Sequence, residues 1–316
     1  MAAIPRGGRG LDADFVRASL TGPMTSVHPV FARNGSLDFD GQARAIDHAI
    51  EAGSGTMLLT YGDSLHSILS DAEVGELLRA VIRITAGRAM VVAADRQWPT
   101  SIELAFAREA REAGADILMV LPPTWGGSVT VDSLVQHYRA VAAEIPAMIV
   151  TAAFSANQAA GLETLRILVE AEPRVVALKD DLVGEFARRV GSLCHPAWAV
   201  ISGGQKQNHL DMHPYGCDGY MSTFLHFNPS VAHRYWAAIS SGDLAGATSI
   251  IERYDRPYMD RILGMPGGFD AGFHATLEAA GTGTRWRRPP YHSLSDAEFD
   301  AFQAWLDDTG MLRPVD

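Results

Sequence analysis

IELAFAREAREAGADILMVL, residues 102–121, changes its hydrophobic period partway along. Over Ile102–Ala113 the apolar residues recur at helical spacing. Gly114 follows, the residue that most readily takes the left-handed conformation closing a helix, and after only Ala115 and Asp116 an unbroken apolar run, Ile117–Leu121, begins. A helix that stops on glycine and turns at once into a short apolar run is one step of an alternating α/β chain.

The same grammar repeats along the chain. Short runs rich in Val, Ile, Leu and Met stand near Met24–Val30, Gly55–Thr60, Ala89–Ala94, Ile117–Leu121, Ala147–Thr151, Val175–Leu178, Ala199–Ser202 and Gly219–Thr223, with amphipathic segments between them. The segment Asp40–Ala52 stops at Gly53, and Ser70 with Glu73 forms a capping box ahead of another helix. Eight parallel strands predict a closed (β/α)8 TIM barrel; periodicity does not register closure, so an open doubly wound sheet is the alternative. Beyond Ser241 strands cease, and Leu244–Leu263, Gly272–Ala280 and Ser295–Asp308 read as helices, the last opened by a second capping box of Ser295 and Glu298. The expected organisation is a flexible N-terminal arm over 1–17, in which Met1–Gly10 has no apolar period, a barrel over 18–243, and a C-terminal helical extension over 244–316.

Composition narrows the function classes. The 316 residues are 47% hydrophobic and carry a formal net charge of −11, which repels nucleic acid and anionic lipid and leaves an anionic substrate to be met by local positive charge or amides. Two cysteines, Cys194 and Cys217, make no disulfide framework, and no run of about 18 apolar residues or signal peptide is present, so a cytoplasmic setting is expected. His66, His209, His213 and His226 come without metal-binding spacing, and no dinucleotide, P-loop or serine-hydrolase motif occurs. Chemistry with neither metal nor cofactor is the expectation.

In a barrel the site forms where strands end. The sixth run, Val175-Val176-Ala177-Leu178, is followed at once by Lys179-Asp180-Asp181. An amine partly desolvated by Val and Leu is suited to attack a ketone and form a Schiff base; the plainer reading is a lysine paired with Asp180 or Asp181. The second run ends Leu59-Thr60-Tyr61-Gly62-Asp63-Ser64, a turn whose hydroxyls and amides suit a carboxylate or merely turn the chain. The fourth ends Pro122-Pro123-Thr124-Trp125, where Trp125 walls a pocket or caps the apolar layer. The seventh ends Ser202-Gly203-Gly204, whose glycines allow close approach to a ligand or a tight turn.

Taken in order, these segments resemble the dihydrodipicolinate synthase and N-acetylneuraminate lyase superfamily over roughly residues 20–310. Thr60–Ser64 is similar to that family's carboxylate-gripping turn, Val176–Asp180 to the strand that bears its Schiff-base lysine, and Ser202-Gly203-Gly204 to its Ser-Gly-Asp turn. Arg287-Arg288-Pro289-Pro290 before Leu294-Ser295 resembles its usual C-terminus. The family's fifth strand ends in a proton-relaying tyrosine, whereas this chain has Ile149-Val150-Thr151-Ala152-Ala153. The Leu121-Pro122-Pro123 turn and the Lys179-Asp180 pair look more like members acting on sugar-derived keto acids, such as the 5-dehydro-4-deoxyglucarate dehydratases. The resemblance implies Lys179 as nucleophile, Tyr61 or Thr124 aiding proton transfer, Thr60, Tyr61, Gly62, Thr151, Ser202 and Gly203 binding a small 2-keto acid, and a homotetramer or dimer.

Three functions follow as expectations. The first is a lyase or aldolase acting on pyruvate or a related 2-keto acid. The second is a dehydratase of a deoxy-keto sugar acid through the same lysine imine. The third, from another class, is a barrel that has lost its relay and binds a keto acid or a protein partner without turnover.

Overall fold

The computed structural model describes Leu11 and residues 13–315; Met1–Gly10, the core of the expected arm, lies outside the described residues. The chain runs α1 (Ala13–Ser19), β1 (Gly22–Ser26), α2 (Phe39–Glu51), β2 (Thr56–Leu58), α3 (Asp71–Thr85), β3 (Met90–Ala94), α4 (Thr100–Ala113) and β4 (Ile117–Val120). It continues through α5 (Val131–Glu144), β5 (Ala147–Val150), α6 (Gln158–Ala171), β6 (Val175–Asp180), α7 (Gly184–Cys194), β7 (Ala199–Ser202), α8 (Lys206–Met212) and β8 (Gly219–Met221). Five helices complete it: α9 (Pro229–Ser240), α10 (Leu244–Ile250), α11 (Arg256–Leu263), α12 (Gly268–Ala279) and α13 (Asp296–Thr309).

The eight strands pair in sequence order, all parallel, and β8 pairs back to β1, so the sheet is a closed (β/α)8 barrel as the alternation predicts. The open sheet is thereby excluded. Local signals held as well: Ser70 and Ser295 both form their capping boxes, and Gly114 closes α4 at φ 102°. The first strand differs from expectation. It ends at Ser26 rather than running to Val30, because His28-Pro29 follows and proline brings no N–H to a ladder. The sixth runs two residues longer than its apolar stretch, with Lys179 aligned to Val150 on one side and Ile201 on the other.

The chain forms two compact units. The first comprises the described residues up to Val27 and Gly55–Met221, and it holds all eight strands. Residues 13–17, read as part of an arm, lie in α1, where Val16 is fully buried. Arg17 of that helix donates to Asp218 at 2.8 Å and to the carbonyls of His195 and Trp198. Both cysteines are buried in this unit, and burial pushes each thiol up to about 12.

The second unit comprises His28–Ser54 and Ser222 onward. Its core joins Phe224, Phe227, Tyr258, Phe273, Phe302 and Leu306. Arg285, buried here, is held by Glu278 and Asp296, and Arg287 pairs with Asp270 at 2.9 Å. The predicted helix Leu244–Leu263 is present as α10 and α11 joined by one wider turn, Ile251–Asp255. Pro257, at the first turn of α11, supplies no N–H, which favours such a local change in helix geometry. No helix among the described residues is long and apolar enough to cross a membrane.

Candidate active site

A cavity of about 280 Å³ opens at the strand ends of the barrel unit, lined by Thr60–Asp63, Ala94, Asp95, Met119, Leu121, Val150, Ala152, Lys179, Asp181, Gly203 and Met221. That volume is near the lower end of the roughly 300–1,000 Å³ usual for small-molecule sites.

Lys179 reaches this space from the last pair of residues in β6 and is only 6% exposed. Its Nζ lies 2.5 Å from Oδ1 of Asp181. Strand alternation explains the choice of partner: residues 179 and 181 share a face and residue 180 takes the opposite one. Asp180 is fully buried and turned away, accepting from the Thr151 hydroxyl at 2.8 Å and from the Val183 N–H at 3.0 Å. Burial, the largest influence on it, raises its carboxyl above the usual range. Thr151 in turn accepts from the Asp181 N–H at 2.8 Å, so one threonine fixes both aspartates.

Gly203 closes the other side of the pair. Its N–H donates to the Asp180 carbonyl at 2.7 Å, and a Cβ at this position would lie 2.6 Å from the Lys179 Nζ. Glycine is therefore required by close approach to the amine.

Opposite, the turn after β2 folds on itself. Thr60 Oγ1 accepts from the Asp63 N–H at 2.9 Å, and the Thr60 N–H donates to Ser64 Oγ, which donates onward to the Val27 carbonyl at 2.6 Å. The N–H groups of Tyr61 and Gly62 have no acceptor among the described residues, leaving two adjacent amides for an anion at the cavity rim.

Of the sequence-predicted residues, Lys179, Thr60, Tyr61, Gly62 and Gly203 are brought together around one cavity. Thr151 and Ser202 are fully buried behind its wall, and half-buried Thr124 is not among the lining residues. Trp125 is 91% exposed and neither walls the cavity nor caps an apolar layer. From β5 and the turn after it, Val150 and Ala152 contribute apolar groups to the lining and no phenol. Asp95, one residue past β3, also lines the cavity without having been given a catalytic or binding role; its signal in the sequence is a charged residue directly after the apolar run Ala89–Ala94. Among the described residues no group of three or more His, Cys, Asp or Glu could hold a metal ion.

Comparison with known proteins agrees in fold and lineage. Residues 19–309 match the Dihydrodipicolinate synthetase family. The chain is 29% identical over 270 residues to 4-hydroxy-tetrahydrodipicolinate synthase 1 of Streptomyces coelicolor, covering 83% of this chain and 85% of that protein. It is 26% identical over 250 residues to the probable 5-dehydro-4-deoxyglucarate dehydratase 1 of the same organism, covering 76% and 77%. The solved N-acetylneuraminate lyase of Fusobacterium nucleatum, complexed with pyruvate, superposes with a TM-score of 0.79 at 14% identity, over 92% of this chain and 97% of that one.

Proposed function

This chain belongs to the dihydrodipicolinate synthetase family, and from that premise we propose that it is a lyase or dehydratase that binds a 2-keto acid as an imine of Lys179. The observation that carries this reading is the position of the amine: buried, on a wall of the cavity, and held by a carboxylate that also faces the cavity. A purely structural ion pair needs no cavity.

In this reading the substrate carboxylate sits on the free Tyr61 and Gly62 amides, with the Thr60 turn beneath them, and its C2 faces Lys179. Asp181 takes a proton from the ammonium; the amine adds to C2 as the carbonyl π pair moves to oxygen, which receives that proton. Asp181 then moves a second proton from nitrogen to the hydroxyl. Water leaves and the nitrogen lone pair forms the protonated imine, so both hydrogens of the departing water come from Lys179. The imine then serves as an electron sink for carbon–carbon cleavage or for loss of a β-hydroxyl. Matches to both a synthase and a dehydratase support keeping the two outcomes together. Assembly as a dimer or tetramer is carried over with the family reading.

Borohydride reduction in the presence of pyruvate, followed by peptide mass spectrometry, tests the proposal. Irreversible addition at Lys179, absent in Lys179→Ala, supports it. A folded protein that acquires no adduct favours the non-catalytic binding barrel and makes Lys179 a structural ion pair.

A further inference from the structure

The imine of a keto acid is useful only if a proton can leave the neighbouring carbon, C3, and return. No phenol from β5 is available for this: Val150 and Ala152 line that side, and Met119 and Leu121 extend the apolar wall along β4. Lys179 and Asp181 are occupied with the nitrogen and oxygen. Of the remaining lining residues, Asp95 is a carboxylic acid buried to 1% exposure that nonetheless faces the cavity.

Its surroundings are built. Oδ2 accepts the Leu121 N–H at 2.8 Å and Oδ1 the Gln97 N–H at 3.4 Å, which fixes the carboxyl plane between the ends of β3 and β4. Behind it stands Glu103, in the first turn of α4 and fully buried. Neither Glu103 oxygen has a hydrogen-bond partner among the described residues, and the two carboxyls act on each other's protonation. A buried, unpartnered carboxylate beside a second carboxyl is disfavoured as an anion. Burial, then the charge of Asp95, raises Glu103 well above the usual carboxylate range, so Glu103 is the member that keeps the proton. Asp95 is raised mainly by burial, with the N–H groups of Leu121 and Gln97, and then Glu103, opposing that shift.

The other groups facing the pair carry no compensating cation. His66, whose Nδ1 is 3.0 Å from the Asp95 carbonyl, is held neutral by burial at about 4. Tyr138 of α5 keeps its hydroxyl proton because burial and the charge of Asp95 both disfavour the phenolate. Arg96, next in sequence, is turned to Asp71 at 2.7 Å. Across the cavity Lys179 is engaged by Asp181.

We propose that Asp95 is the acid–base residue for carbon in this cavity, standing in for the absent tyrosine, with Glu103 as a positioning residue that holds a proton against it. The inference rests on Lys179 forming the imine. The Asp95 carboxylate takes a proton from C3, the C–H electron pair becomes the C2–C3 double bond, and the imine nitrogen receives the π pair, giving a neutral enamine and a protonated Asp95. Reversal returns a proton from Asp95 to carbon, and exchange of that carboxyl proton with solvent in the interval replaces it. No oxidant enters.

The test follows the methyl protons of pyruvate in D₂O by NMR, alongside borohydride trapping, for the intact protein and four variants. The intact protein is expected to trap pyruvate and to deuterate it. Asp95→Asn is expected to trap pyruvate still and to lose exchange by ~10²-fold or more, in the range of general-base removal. Glu103→Leu, which cannot donate to Asp95, should move the rising limb of the exchange pH profile upward, and Glu103→Gln, which keeps a donor, should bring it back. Trapping by an Asp95→Asn variant that exchanges at the wild-type rate overturns this inference alone. So does loss of exchange in Tyr61→Phe with exchange retained in Asp95→Asn, which would give the proton to the phenol. An intact protein that neither traps nor exchanges overturns the imine reading and this inference with it.

Discussion

A Cβ placed on Gly203 would sit 1.8 Å from Oδ1 of Asp181, inside any possible contact distance, and that oxygen is the one held by Lys179. Gly203→Ala therefore must displace the aspartate, the lysine or the strand end. We expect the variant to fold, since Gly203 follows β7 at its rim, and to trap pyruvate at Lys179 roughly 10²-fold more slowly, the usual cost of an ångström of misplacement. Trapping rates from timed borohydride quenches measure this. A wild-type rate would mean the pair has slack the geometry does not suggest.

Thr151 donates to one buried aspartate and accepts from the backbone of the next. Thr151→Val keeps shape and leaves Asp180 short of one donor and the Asp181 N–H without its acceptor. The expected loss is about 2–4 kcal/mol of stability, the sum of two unsatisfied buried groups at ~1–2 kcal/mol each, read by urea unfolding. Thr151→Ser, which retains the hydroxyl, should recover most of it.

The paired carboxyls make stability fall in alkali. Asp95 and Glu103 have higher pKa values folded than the ~4 of an unfolded carboxylate, so the folded state binds more protons above that pH. Their contribution is complete below about pH 4 and is lost as pH rises through the folded values, with a slope up to ~1.4 kcal/mol per pH unit for each proton. Thermal unfolding across neutral to alkaline pH should show a shallower decline for Glu103→Gln than for the parent protein. Equal slopes would remove the buried proton from the picture.

Histidines in the helical unit act in the opposite sense. His28 is pushed down to about 3 by burial, with Asp270 opposing and Arg287 assisting, and His226 is lowered by burial and by its neighbours His28 and His48. Groups depressed in the folded state bind fewer protons there than in the unfolded chain. Their stabilisation is present above about pH 6.5 and is lost as pH falls toward the folded values. His28→Phe should flatten the acid limb of the stability curve, provided Phe packs against Phe273, whose ring centroid lies 4.6 Å from that of His28. Differential scanning calorimetry between pH 7 and 4 distinguishes the two slopes.

The barrel was legible because each βα step carries its own local instruction: Gly114 ends a helix, Ser70 begins one, and eight apolar runs need two covered faces. Closure was legible only through the count of eight strands, and the two-unit division was not legible, because pairing of Met24 with Met221 or the packing of Phe227 on Tyr258 is a long-range outcome. At the site, Lys179 stood out as a charge at the end of an apolar strand, and period-two alternation alone could have chosen Asp181 over Asp180 as its partner. The Asp95–Glu103 contact left no such trace. A strand end and a helix separated by the turn Arg96–Pro99 meet only once both elements are placed, and two like charges in proximity are the reverse of what a sequence reader pairs.

The groups around the cavity are delivered by successive strands, from Thr60 after β2 to Met221 in β8, and the sheet that carries them is complete only when its last strand finds its first. Helices of such a chain form early from local contacts, whereas this seam joins residues some two hundred positions apart and must wait. Regained turnover during refolding is thus a clock for the sealing of the sheet, and it should lag the return of the far-ultraviolet helical signal.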